Sequence, residues 1–165
     1  AEHFVDLHRF ALPDFKIFEL IYYVPLANGN WYLLKYPFFN GNGYYLTGQE
    51  LDGYDDASRA FLTRVFKIQK AHADAFTSAD VEPLAQTEAP GLYANRFSTA
   101  KKTVWTLFNA NYRTLRGALV EVPDRPGAKY YDAWHERPVA VRSVGERRVL
   151  ELEIGPRAVG CVAGE

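Results

Sequence analysis

After residue 91 the chain breaks into short apolar segments divided by turn signals, and this rhythm confines its second half to an antiparallel β architecture. The segments are GLYANRFS, KKTVWTLFN, RGALVEV, AKYYDAW, RPVAVRSV, RRVLELEI and RAVGCVA. They recur roughly every ten residues, with Gly, Pro and Asn between them, as in a sandwich of short strands. In RRVLELEI the alternation is clean: Leu150, Leu152 and Ile154 fall on one side and Glu151 and Glu153 on the other. VPDRPGA reads as a turn bracketed by prolines, and SVGERR as a hairpin connection. About seven strands are expected, without internal repeat or low-complexity tract.

The first half has a different texture. DFKIFELIYYV, residues 14–24, reads as a strand whose two faces both turn apolar toward its end, the pattern of a strand covered on two sides. DDASRAFLTRVFKIQKAHADAFTSA, residues 55–79, is the clearest helix. Asp55 and Asp56 suit its N-cap and first turn. Phe61, Val65, Ile68, His72 and Phe76 then fall on one face, widened by Leu62, Phe66 and Ala73, with Lys67 and Lys70 opposite. Such a strand needs neighbours and such a helix needs a sheet to lie on. Either this half packs on the β-sandwich or its partners lie outside these 165 residues, and the second is expected.

Charge excludes some partners. Lys+Arg 19 against Asp+Glu 20 leaves a formal net charge of -1, which gives no electrostatic reason to expect nucleic acid or an anionic membrane. No apolar run approaches the ~20 residues that span a bilayer. The opening AEHFVDLHRF lacks the basic and apolar regions of a signal peptide. The chain has no Met, which fits a mature product or a piece of a longer protein. Its lone cysteine, Cys161, lies in an apolar alternation and is expected to be a buried small residue.

No catalytic motif declares itself. The four histidines, His3, His8, His72 and His135, show no metal-ligand spacing, and His72 belongs to the apolar helix face. There is no G-x-S-x-G elbow, and the glycines of GNGYYLTG fit neither a dinucleotide fingerprint nor a phosphate loop. Neither metal nor cofactor is expected. Among the acids Asp6, Asp14, Glu19, Glu50 and Asp52 no pair has a telling spacing. Glu19 stands inside an apolar strand, where burial would raise its pKa and suit a proton donor, but pairing with Lys16 or another base, or a place facing solvent, is the expected reading. Catalytic residues are left unassigned.

A family resemblance adds to these readings. GLYANRFSTAKKTVWTLFNANYRTLRG, PGAKYYDAWHERPV and VLELEIGPRAVGCVA resemble the all-β domain that closes many glycoside hydrolases behind a (β/α)8 barrel. The strand ending at Phe108-Asn109, the corner at Asp132 and Trp134, and the terminal apolar strand carry the likeness over residues 91–165. The resemblance implies a mixed α+β chain: residues 1–90 form the terminal elements of an α/β barrel with one long helix, and residues 91–165 an antiparallel β-sandwich. It implies the C-terminal portion of a carbohydrate-active protein, with the sandwich buttressing an upstream barrel of the same protein and carbohydrate as its small ligand. The barrel's paired carboxylates would lie upstream, so the chain alone is not expected to turn over substrate.

Within that reading, GNWYLLKYPFFNGNGYYLTGQ, residues 29–49, becomes a barrel-mouth loop. Trp31, Tyr44 and Tyr45 would stack on sugar faces, while Asn42 and, just beyond, Glu50 take hydroxyls. The alternative for each ring is core or the barrel–sandwich interface, and for Glu50 a place in the lead to the helix cap. Trp105 and Trp134 are expected in the sandwich core or at its corner. The rival readings are a carbohydrate-binding module and a non-catalytic protein-interaction module.

Overall fold

The structure is a computed structural model that describes residues 4–22, 31–47 and 54–165. The first half supplies α1 (Leu7–Ala11), β1 (Phe18–Tyr22), α2 (Trp31–Asn40), β2 (Gly43–Thr47), α3 (Asp56–Ala71) and α4 (Ala73–Phe76). Nine strands follow: β3 (Asp80–Glu82), β4 (Leu92–Ser98), β5 (Thr103–Asn109), β6 (Leu115–Val122), β7 (Tyr130–Asp132), β8 (Arg137–Val139), β9 (Val141–Val144), β10 (Arg147–Ile154) and β11 (Val159–Gly164). They form an antiparallel six-stranded sheet, β3-β4-β5-β11-β7-β8, and a three-stranded sheet, β6-β10-β9.

Three layers result, because the six-stranded sheet is apolar on both sides. Ala94, Trp105, Leu107 and Val162 point toward Val120, Leu150, Leu152 and Ile154 of the smaller sheet, forming the sandwich core. Phe97, Val104, Phe108, Val159 and Cys161 point the other way, against Phe38, Phe39, Leu62, Val65 and Phe76 of the helices. Every residue of β5 and β11 is buried in consequence. The fully enclosed strands of this fold are therefore these two central ones. The Cys161 thiol lies in this helix-facing core, and burial pushes its pKa well above the ordinary range, so it serves as a small apolar filler.

The strand-rich half matches its sequence pattern with one exception. The segment RPVAVRSV is divided at Ala140 between β8 in the larger sheet and β9 in the smaller, so the chain turns a corner there. The Ala140 carbonyl at that corner accepts the Glu151 N–H at 2.9 Å. The expected hairpin is present, with Val144 opposite Arg147 across Gly145 and Glu146.

The helix starts where its cap predicts. Asp55 is the N-cap of α3, and its Oδ1 accepts the Ser58 N–H at 2.8 Å. The stripe of Phe61, Leu62, Val65 and Ile68 is buried. The single helix expected over 55–79 instead breaks at His72, whose φ of -122° and ψ of 29° end α3 before α4 begins. Asp55→Ala should lower stability by about 1 kcal/mol through loss of this cap, read as a shift of the urea midpoint at unchanged slope.

The aromatic stretch expected as a loop is a helix and a strand. α2 carries Pro37 in its interior and ends in a C-terminal glycine motif: Gly41 N–H donates to the Phe38 carbonyl at 3.1 Å and Asn42 N–H to the Pro37 carbonyl at 2.9 Å. Gly41 has φ +68°, open to glycine at little cost. The turn delivers the chain directly into β2, which pairs in parallel with β1. β1–α2–β2 is thus one parallel crossover unit, of the kind that repeats in α/β folds. The described residues contain only these two parallel strands, so they do not make up a barrel.

Candidate functional site

Strand alternation sorts the side chains of β1 and β2 onto two sides. Phe18 pairs with Gly43, Leu20 with Tyr45 and Ile21 with Leu46. Ile21, Tyr44 and Leu46 turn toward the helices and join the helix-facing core. Phe18, Leu20 and Tyr45 form the other face and are exposed by 66%, 48% and 61%. The end of β1 thus has two apolar sides, as its sequence indicates, but only one is covered by described residues.

The sequence-predicted contacts are dispersed over this unit. Tyr44 lies inside: its hydroxyl donates to the Leu34 carbonyl at 2.6 Å, and its ring meets Phe66 edge-on at 5.7 Å. Burial pushes its phenol well above the ordinary range and keeps it a donor. Tyr45 stands on the open face. Trp31 opens α2, but its side chain lies outside the described residues, as does Glu50.

Asn42 is fully buried at the opposite end of the unit, in the turn from α2 into β2. Its amide N–H groups donate to Asp6 Oδ2 at 2.8 Å and to Glu19 Oε1 at 3.1 Å. Asp6 also caps α1 through His8 and Arg9, and its own N–H donates to Asn40 Oδ1 at 2.8 Å. Asn40 closes the network by donating to the carbonyls of Phe4 and Tyr36. These two acids therefore hold a buried amide on the helix side of β1. Their hydrogen bonds fix the N-terminal segment to the crossover unit.

A second set of contacts binds the helices to the sandwich. The Phe39 carbonyl near the end of α2 accepts from Asn95 Nδ2 at 3.0 Å and from the Thr106 hydroxyl, both fully buried on the six-stranded sheet. This answers an otherwise orphaned helix-end carbonyl from another layer. Asp132 turns the corner after β7 by accepting the N–H groups of Trp134 and His135, each at 3.0 Å. The corner presents Trp134 to Phe38 at 5.2 Å and to Phe61 at 5.5 Å, with the Arg64 guanidinium 5.3 Å from its ring. Trp134 is a wedge between sandwich and helices, while Trp105 is sandwich core. Beside the wedge a cleft of about 320 Å³ is lined by Lys35, Phe61, Arg64 and Trp134. No group of three or more His, Cys, Asp or Glu side chains that could hold a metal ion occurs among the described residues.

The seam was only partly foreseeable. The Asp132/Trp134 corner is written in a short local motif, whereas Asn95, Thr106 and Phe39 give no local signal of meeting. Likewise Asp6 and Asn42 are 36 positions apart.

No protein-family model matches this sequence, and no curated protein sequence matches it. Its fold is nevertheless found in solved structures. An α-amylase from Anoxybacillus, described with a new glycosyl hydrolase subclass, superposes with a TM-score of 0.60 at 14% identity, covering 90% of this chain and 38% of the amylase. α-Galactosidase I from Mortierella vinacea gives 0.56 at 10% identity, covering 80% and 34%. A GH30 endoxylanase from Clostridium papyrosolvens gives 0.53 at 11%, covering 96% and 44%. The chain spans less than half the length of each of these enzymes. The resemblance read from residues 91–165 thus holds at the level of fold, in a sheet-rich chain whose structural neighbours are glycoside hydrolases.

Proposed function

We propose that this chain is the C-terminal portion of a carbohydrate-active, glycoside-hydrolase-like protein, in which the sandwich buttresses a (β/α)8 barrel. The observation that carries this reading is the open face of the β1–β2 pair. Phe18, Leu20 and Tyr45 are exposed there, while the other face is covered by helices. Parallel strands occur in sheets covered on both faces, and two strands alone are marginal in water. Further parallel strands from upstream in the same protein would enclose these three side chains as barrel interior. Solved glycoside hydrolases with this fold over part of their length support that arrangement.

Residues 1–90 are then the terminal barrel part and residues 91–165 the sandwich, with the short edge strand β3 reaching from the first onto the second. Contacts of Trp134, Asn95 and Thr106 with α2 join the sandwich to the first half and support a buttressing role. Sites in such barrels lie at the carboxyl ends of the strands. β1 and β2 end at Tyr22 and Thr47; Trp31 opens the helix that follows β1, Glu50 follows β2 in the sequence, and Tyr45 lies on the interior face. We retain Trp31 and Glu50 as rim contacts to sugar, whereas Tyr45, level with Leu20 in the pair, goes with the enclosed interior. Asp6 and Glu19 face the helices and hold Asn42, so the catalytic carboxylates are assigned to upstream strands.

The natural gene product, probed by immunoblot with an antibody against this chain, should run far above 18.7 kDa. A band at 18.7 kDa would remove the upstream barrel and this reading with it. The purified 165-residue chain should leave aryl glycosides intact, and turnover would show that the chemistry is not upstream.

A further inference from the structure

The helices do not cover the whole of the six-stranded sheet. Toward its β7–β8 edge, Ala163 of β11, Tyr131 of β7 and Pro138 of β8 lie side by side in the strand register. Tyr131 is 43% exposed, although it stands on the same side of the sheet as the buried helix-facing core. These three residues line a cleft of about 610 Å³ with His72, Lys129 and Glu165. His72, the residue at which α3 ends, is among this lining.

From these observations we infer that the cleft is a non-catalytic binding site for a neutral oligosaccharide, with the Tyr131 ring as its platform. The size suits a ligand of a few rings, since sites for small molecules run from about 300 to 1,000 Å³. The lining combines a flat aromatic ring, the proline ring and an alanine methyl with a few polar groups at the margin. That is the mix that fixes a ligand having apolar faces and hydroxyl edges.

Charge selects against ionic ligands. Lys129 and Glu165 offer one charge of each sign, and Lys102 Nζ is held 3.5 Å from both Glu165 and Asp74. Burial lowers the His72 pKa, the Lys102 charge adds to this, and Asp74 and Glu165 oppose it. The imidazole therefore meets a ligand at neutral pH in its uncharged form. A phosphate or polyanion would find no surplus of positive charge, whereas a polyol needs none.

This site is distinct from the rim at the ends of β1 and β2, so it stands or falls apart from the barrel reading. The test is an NMR titration of the full 165-residue chain with maltohexaose, xylohexaose and raffinose, with inorganic phosphate as ionic control. At least one sugar should saturate near a Kd of about 1 mM and shift the amides of Tyr131, Ala163 and Lys129, while phosphate should not. Tyr131→Ala should weaken binding about tenfold, and Tyr131→Phe, which keeps the ring, should bind nearly as the parent does. Absence of saturation by about 20 mM of every sugar, or shifts confined to other residues, would overturn the proposal. So would unchanged affinity in a folded Tyr131→Ala variant.

Discussion

Replacing Phe97 by alanine should lower the stability of the chain by about 4 kcal/mol, the range of a buried aromatic deletion. Phe97 is fully buried on the helix-facing side of β4. Its ring lies 5.3 Å from Phe76 of α4 and 6.0 Å from Phe10 of α1, with the Arg9 guanidinium 5.5 Å from its centroid. One side chain of the sandwich thus meets two separate helices of the first half. Its removal empties a site that rigid sheet and helix backbones cannot close, so the cavity cost adds to the lost transfer energy. Urea unfolding followed by tryptophan fluorescence reads the result as a midpoint lowered by about 2 M. Trp134 and Trp105 report from the helix-facing seam and the sandwich core, so coincident transitions are expected from their two environments. A loss below about 1 kcal/mol would mean that the helices are not docked on this sheet.

What the sequence made legible follows the range of the signals. The cap at Asp55, the alternation of β10 and the hairpin at Gly145 depend on residues a few positions apart, and each is present. α2 escaped for a physical reason. Its ten residues, WYLLKYPFFN, lie between the parallel pair and the six-stranded sheet, with Phe38 and Phe39 buried in the core. A helix packed on two sides has little polar face, so its 3.6-residue period is blurred, and Pro37 with the following Asn-Gly pairs imitates a loop. RPVAVRSV misled differently, because apolar alternation continues through a corner at which the strand changes sheets.

The site was less legible than the fold. Asn42 looked like a loop amide available to a ligand, but its partners Asp6 and Glu19 stand 36 and 23 positions away. No window of sequence contains that network. Strand parity, by contrast, was readable once the partner strand was known. It places Tyr44 with the helices and Tyr45 on the open face, and the same parity sets Tyr131 on the uncovered part of the larger sheet.

Gly41→Ala should cost about 3 kcal/mol, from two separable sources. At φ +68° an alanine enters the left-handed region, a penalty of about 1–2 kcal/mol. Its Cβ would also stand 2.7 Å from Cε1 and Cζ of Phe97 and 3.2 Å from Cδ1 of Phe76, a crowding worth about 1–2 kcal/mol in a close-packed core. The Phe97→Ala variant separates the two. With that ring gone the new methyl has room on the Phe97 side, so Gly41→Ala should retain its backbone cost and shed most of the crowding. The double variant should then be more stable than the summed single losses by about 1–2 kcal/mol. Simple additivity, to within about 0.5 kcal/mol, would show that the α2 turn does not rest on Phe97. The coupling tests the same junction as the first variant from the opposite side. It asks whether the crossover unit was shaped to seat on this sheet, which a buttress requires and a mere tether does not.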